Sequence, residues 1–195
     1  MKQKGPLEKM RILRPSLRFA ALVMLFHLTA CTPPTTKFSA IWKDETYQAR
    51  PEKIFVVGAS GGSSPRRDFE DEFVMALKVR GIDAVVSYTS IPQMPAPVLV
   101  DKDAIVVQAK AVGADTVLIN SLIQRERKDV WVDTNGTDRY ELYINTRLDV
   151  YDVKTNRMIM SVLAEKRIYD DKPYTGQLQS FVRDLVNMLF QQKLF

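Results

Sequence analysis

The chain has 195 residues, with 28 Lys and Arg against 23 Asp and Glu, one histidine and one cysteine. Six basic residues and one acidic residue fall in residues 1–30, so the remainder carries 22 of each and is neutral, and the high overall pI is no argument for nucleic acid. Because the histidine is His27 and the cysteine is Cys31, residues 32–195 hold neither imidazole nor thiol, which excludes Ser-His-Asp and Cys-His catalysis, His- or Cys-ligated zinc and an internal disulfide there.

Residues 1–30 have the parts of a secretory signal: a basic front of Lys2, Lys4, Lys9, Arg11, Arg14 and Arg18, then an apolar segment over 19–28. That segment is shorter than the roughly 20 apolar residues that span a bilayer. Leu28-Thr29-Ala30-Cys31 resembles a bacterial lipobox. The resemblance implies cleavage before Cys31, a diacylglyceryl group on its sulfur and acylation of the new amino terminus. Each buried methylene then contributes about 0.8 kcal/mol to anchoring. The alternatives are an ordinary secretory signal that abuts a cysteine, or a free structural thiol. Thr32, in place of an aspartate, is similar to enterobacterial lipoproteins sorted to the outer membrane.

The expected division is a signal peptide over 1–30, the lipidated Cys31 with a tether over 31–51, and one periplasmic α/β domain over 52–195. Removing the signal leaves 165 residues, enough for one core. The tether contains Pro33-Pro34 and ends in a stretch whose Trp42 and Tyr47 pack on the domain. Residues 53–57 form a continuous apolar run, the pattern of a strand covered on both faces. Ser64-Pro65 opens a helix in which Phe69, Phe73, Ala76 and Leu77 recur at helical spacing up to Gly81. Residues 82–88 read as a second strand, parallel to the first through a βαβ unit.

Asp101 caps a second helix with Ile105, Ala109 and Val112 inward and Gly113 at its end. A strand follows over 116–123. From Tyr140 to Val150 every second residue is largely apolar, as in an antiparallel strand with one wet face. Asn135-Gly136 signals the hairpin before it. Another strand covers 158–167, and Leu178, Phe181, Val182, Leu185, Met188 and Leu189 mark a closing amphipathic helix. The order β-α-β-α-β-β-β-α predicts an α/β sandwich, a mixed sheet with helices packed on it.

The glycine-rich turn over 58–64, placed between a strand and a helix, is a candidate anion site in which Gly61, Gly62, Ser63, Arg66 and Arg67 would supply backbone N–H groups and charge. It lacks the Walker lysine and the third glycine of a dinucleotide fingerprint. The alternative is a flexible turn. Asp68, Glu70, Asp71 and Glu72 suggest paired carboxylates or a calcium site, but acidic residues also suit a solvated helix start. Candidate partner contacts are Met94 in the proline-rich stretch 92–97, Trp131 near the hairpin tip, and Tyr143, Arg147 and Tyr151 on the polar side of the alternating strand. An ordinary solvent face is the alternative for the last three. No metal or other cofactor is implied.

The segments carrying Trp42, Lys43, Asp44 and Tyr47; Arg66, Arg67, Phe69, Glu70 and Phe73; Gly81, Ile82 and Ala84; and Gly113, Ala114, Asp115, Val117 and Leu118 resemble a widespread group of bacterial envelope lipoproteins. The element order is similar, at fold level, to the amino-terminal domain of TolB and to the penicillin-binding-protein activator LpoB. The resemblance leaves the function generic; the lipobox-like anchor together with the lack of catalytic side chains leads to the expectation of a non-enzymatic, lipid-anchored protein on the outer membrane facing the periplasm, an adaptor or assembly factor with an envelope protein as partner. The competing expectations are a binder of a small anionic ligand or lipid head group through residues 58–67, and a carboxylate-dependent hydrolase using Asp68 and Glu72.

Overall fold

A computed structural model of the chain describes residues 36–59, 62–93, 101–132, 136, 138–169 and 172–195. Six strands and three helices follow in the order β1 (Thr36–Lys43), β2 (Lys53–Ala59), α1 (Ser63–Val79), β3 (Asp83–Val86), α2 (Lys102–Ala111), β4 (Thr116–Val132), β5 (Asp138–Asp152), β6 (Arg157–Tyr169) and α3 (Tyr174–Gln191). They build one mixed sheet in the order β1-β6-β5-β4-β2-β3. The expected α/β sandwich is therefore the fold, with one strand ahead of the predicted series.

β2 is the central apolar run and pairs in parallel with β3 and β4, with Ile54 opposite both Ala84 and Thr116. Its side chains alternate between two cores. Ile54 and Val56 join the larger one with α1 and α3, whereas Phe55 and Val57 join a smaller one under α2. Phe73 and Leu77 of α1 and Leu185 and Leu189 of α3 are fully buried, each contributing roughly 1.5–3 kcal/mol by leaving water.

α1 begins at Ser63, with Gly62 at its N-cap position, rather than with Ser64 as the cap, and Pro65 lies inside the first turn. That turn has no intrahelical use for the proline's missing N–H. The helix ends as expected at Gly81, whose φ of +81° suits glycine. α2 is capped by Asp101, whose carboxylate accepts from the N–H groups of Asp103 and Ala104 at 2.9 and 3.3 Å. β3 is shorter than residues 82–88: the Ser87 N–H is shared between the Val56 carbonyl of β2 at 3.0 Å and Glu70 at 2.7 Å, and the Tyr88 N–H donates to Glu70 at 3.0 Å.

The antiparallel half is longer than the sequence pattern suggests. β4 runs for 17 residues and β5 for 15, paired from Thr116 opposite Asp152 to Val132 opposite Asp138. Register shifts between Leu122 and Gln124 and between Asp129 and Trp131 keep the two ends in step. β1 is the main departure, since residues 36–43 were expected in the tether. They pair antiparallel with β6, with Thr36 opposite Lys166 and Lys43 opposite Met160, and a bulge at Ala40, whose φ is +49°, absorbs the shift between Ser39 and Trp42. Phe38 and Tyr47 pack on the larger core.

Candidate functional site

Three places bear on function: the turn between β2 and α1, the open side of the antiparallel strands, and a cavity at the helix starts. At the turn, the decisive residue is Glu70, which is 0% exposed. Its carboxylate accepts from the N–H of Gly58 at 2.9 Å, of Ser87 at 2.7 Å and of Tyr88 at 3.0 Å, from the Ser87 hydroxyl at 2.7 Å and from Arg66 Nε at 2.8 Å. Arg66, 4% exposed, also donates through a terminal nitrogen to Ser87 Oγ at 2.7 Å. One ion pair thus joins the ends of β2 and β3 to α1.

This placement corrects two expectations. Arg66 faces the core and is occupied by Glu70 and Ser87, so it is not presented to an anion at the turn. Glu70 is not part of a solvated helix start, although Asp68 and Asp71 are exposed. Gly58 serves packing as well: a Cβ there would stand 3.2 Å from the Phe69 ring and 3.3 Å from the Arg66 carbonyl oxygen. Gly62 and Ser63 are exposed at the start of α1, and Arg67 lies 5.3 Å from the Tyr88 ring centroid. Tyr88 donates to Asp71 at 2.7 Å, a bond that raises the phenol pKa. Gly61 lies outside the described residues.

Cys31 and Met94 also lie outside them. Trp131 stands opposite Arg139 on β4, and its side chain is outside what the structure describes. Tyr143, Arg147 and Tyr151 do share one side of β5, the side turned away from α1 and α3. Tyr143 donates to Glu141 at 2.7 Å and has Lys128 Nζ 4.4 Å from its ring centroid. Arg147 is exposed and donates to Asp149 at 2.8 Å. Tyr151 separates from the pair because it packs on the smaller core, with Lys102 Nζ of α2 5.7 Å from its ring. Burial, then the Asp149 charge, raises its phenol pKa. Among the described residues no helix covers the stretch of β5 and β6 that holds Tyr143, Arg147, Glu165 and Arg167.

The cavity escaped the sequence reading. It measures about 260 Å³ and lies over the core side of β4, β5 and β6 where α1 and α3 begin. Pro65 and Phe69 of α1 and Tyr174, Leu178 and Phe181 of α3 form one wall, and Leu122, Leu142, Ile144 and Ile168 form the other. Three polar residues interrupt the inward rows of adjacent strands: Asn120 on β4, Thr146 on β5 and Lys166 on β6, exposed by 4%, 4% and 2%. The register sets them on one diagonal, with Leu122 opposite Thr146 and Ile144 opposite Lys166.

Their fates differ. Lys166 donates to Ser180 Oγ at 2.7 Å and to Thr36 Oγ1 at 3.3 Å. Burial lowers its pKa, offset in part by Asp184. Gln177, also in the wall, spends its amide on the backbone of Tyr169 and Lys172. Asn120 Oδ1 and Thr146 Oγ1 are buried without a hydrogen-bond partner among the described residues. The available signal was a polar residue at a core parity: Asn120 inside an apolar run, and Thr146 in the row from Leu142 to Val150.

No protein-family model matches the sequence, and no curated protein matches it. Solved structures define its class at the level of fold. The chain is similar to PelC from Paraburkholderia phytofirmans, solved as a dodecamer, with a TM-score of 0.52 at 15% identity, covering 79% of this chain and 96% of that one. A variant of the same protein gives 0.50 at 13% identity, covering 79% and 97%. Bacterial lipoproteins are among the similar structures, such as GNA1162 from Neisseria meningitidis, with a TM-score of 0.48 at 14% identity and coverage of 72% and 99%.

Proposed function

We propose that the chain is a non-enzymatic envelope lipoprotein, held at the outer membrane by acyl chains on Cys31, whose periplasmic domain works by binding another envelope protein. The observation that carries the binding role is the open side of β5 and β6 around Tyr143 and Arg147. The sheet's other side is filled by α1 and α3, and α2 packs over β2 and β4. Tyrosine and arginine are the residue types that carry most interface energy, and here both project from rigid strands. The hydrolase reading gains little support, since Asp68 is exposed and neither Asp68 nor Glu72 lines the cavity at the helix starts, while the oxygens of the buried Glu70 carboxylate are occupied by five donors. The anion-loop reading loses Arg66 to that same carboxylate.

Two measurements on cells test the proposal. Cys31→Ala is expected to move the protein from the membrane pellet to the soluble periplasmic fraction, and a variant that still pellets would contradict the anchor. Arg147→Gln, which keeps a donor toward the buried Asp149, is expected to lower recovery of the co-purified partner about tenfold while the circular dichroism spectrum stays that of the folded parent. Unchanged recovery would remove this side of the sheet from the binding role.

A further inference from the structure

We infer that the cavity at the starts of α1 and α3 binds a small apolar molecule whose one polar end is a neutral hydroxyl. The first observation is the pair of orphan atoms. Asn120 Oδ1 accepts only, the Thr146 hydroxyl both donates and accepts, and each is 4% exposed on the cavity wall with no partner among the described residues. Buried polar atoms in folded proteins are nearly always hydrogen-bonded. Two orphans on neighbouring strands, facing one space, mark where a ligand's polar atom belongs.

A hydroxyl fits the pair because it donates to Asn120 and accepts from Thr146. A carboxylate would have no proton for Asn120 Oδ1. The second observation is the lining, which apart from the pair is nine aliphatic and aromatic residues, Lys166 and Gln177, both hydrogen-bonded within the protein, and Arg125 at the rim, with no Asp or Glu. A bridging water would satisfy the two atoms and leave the apolar volume empty, whereas a hydroxyl on an apolar body fills both. An apolar cavity of about 150 Å³ accepts benzene, so one of 260 Å³ takes a body of about eight to ten carbons. Tyr174 and Arg125 stand at the exposed rim.

The test uses the full chain in lipid nanodiscs with 1-octanol and octane as probes, followed by melting temperature and by a crystal structure with octanol. Octanol is expected to raise the melting temperature saturably, with octane binding about five- to tenfold more weakly. In the crystal the octanol oxygen lies within hydrogen-bond distance of Asn120 Oδ1 and Thr146 Oγ1. The double variant Asn120→Leu, Thr146→Val reverses the preference without lowering the melting temperature of the free protein, because both orphan atoms are gone. Equal affinity for the two probes, no shift at saturating octanol, or a cavity that holds only water would each overturn the inference. Binding seen only in the Cys31→Ala chain would overturn it too, because the acyl groups of the chain itself would then be the occupant.

Discussion

At the scale of single residues, the Arg66 and Glu70 pair illustrates the difference between spacing and environment. An arginine four residues before a glutamate on a helix is legible as a neighbouring pair. Its burial is not legible, because the other donors arrive from both sides in sequence, Gly58 from β2 and Ser87 and Tyr88 from just beyond β3. Glu70→Ala should destabilise the protein by about 3–5 kcal/mol, since it leaves the Arg66 charge buried and unpaired. Urea unfolding monitored by circular dichroism measures this, and a loss below about 1 kcal/mol would mean that the pair is solvated.

Tyr47 gives the pH dependence at the same scale. Burial, then the charges of Asp152 and Asp115, pushes its phenol from 10.0 up to about 12, and its hydroxyl lies 3.5 Å from Asp152 Oδ1. The folded state therefore holds the phenol proton more tightly than the unfolded chain. This contribution to stability is fully present below pH 10, the unfolded value, and is lost as the pH rises through about 12. Stability should fall across that window, and Tyr47→Phe should reduce the fall. An equally steep fall in the variant would place the titration elsewhere.

At the scale of elements, the parts with strong local signals were legible: the Asp101 cap, the glycine stops after α1 and α2, the apolar run of β2 and the alternation of β5. β1 was not, because its eight residues include exposed Ile41 and Trp42 and only Thr36 is fully buried. Its strand character comes from β6, more than a hundred residues later. The cavity was missed for a related reason, since a lone Asn or Thr in an apolar row becomes notable only when the register puts the two on adjacent strands. Deleting residues 36–43 should lower the melting temperature by roughly 10 °C and promote aggregation through the uncovered β6 edge. A tether would tolerate the deletion with no change in either property.

At the scale of the whole molecule, the order of elements and the mixed sheet follow from the alternation of hydrophobic periods, while the uncovered side of the antiparallel strands follows from helix placement. α2 packs over β2 and β4, and a helix about 10 Å wide covers about two strands at a spacing of about 4.8 Å, which leaves β5 and β6 beyond its reach on that side. The same arrangement leaves the 17-residue β4 and 15-residue β5 long enough to carry both the open surface and the cavity on opposite sides. A partner on one side and a small ligand on the other would share those strands.

The most direct test of the binding role is site-specific photo-cross-linking in intact cells, with the photoreactive side chain at position 165 on the open side, which leaves Tyr143 and Arg147 in place, or at position 78 on the outer surface of α1. One dominant envelope protein captured from position 165 and not from position 78 is the expected result. The same background pattern from both positions would contradict it.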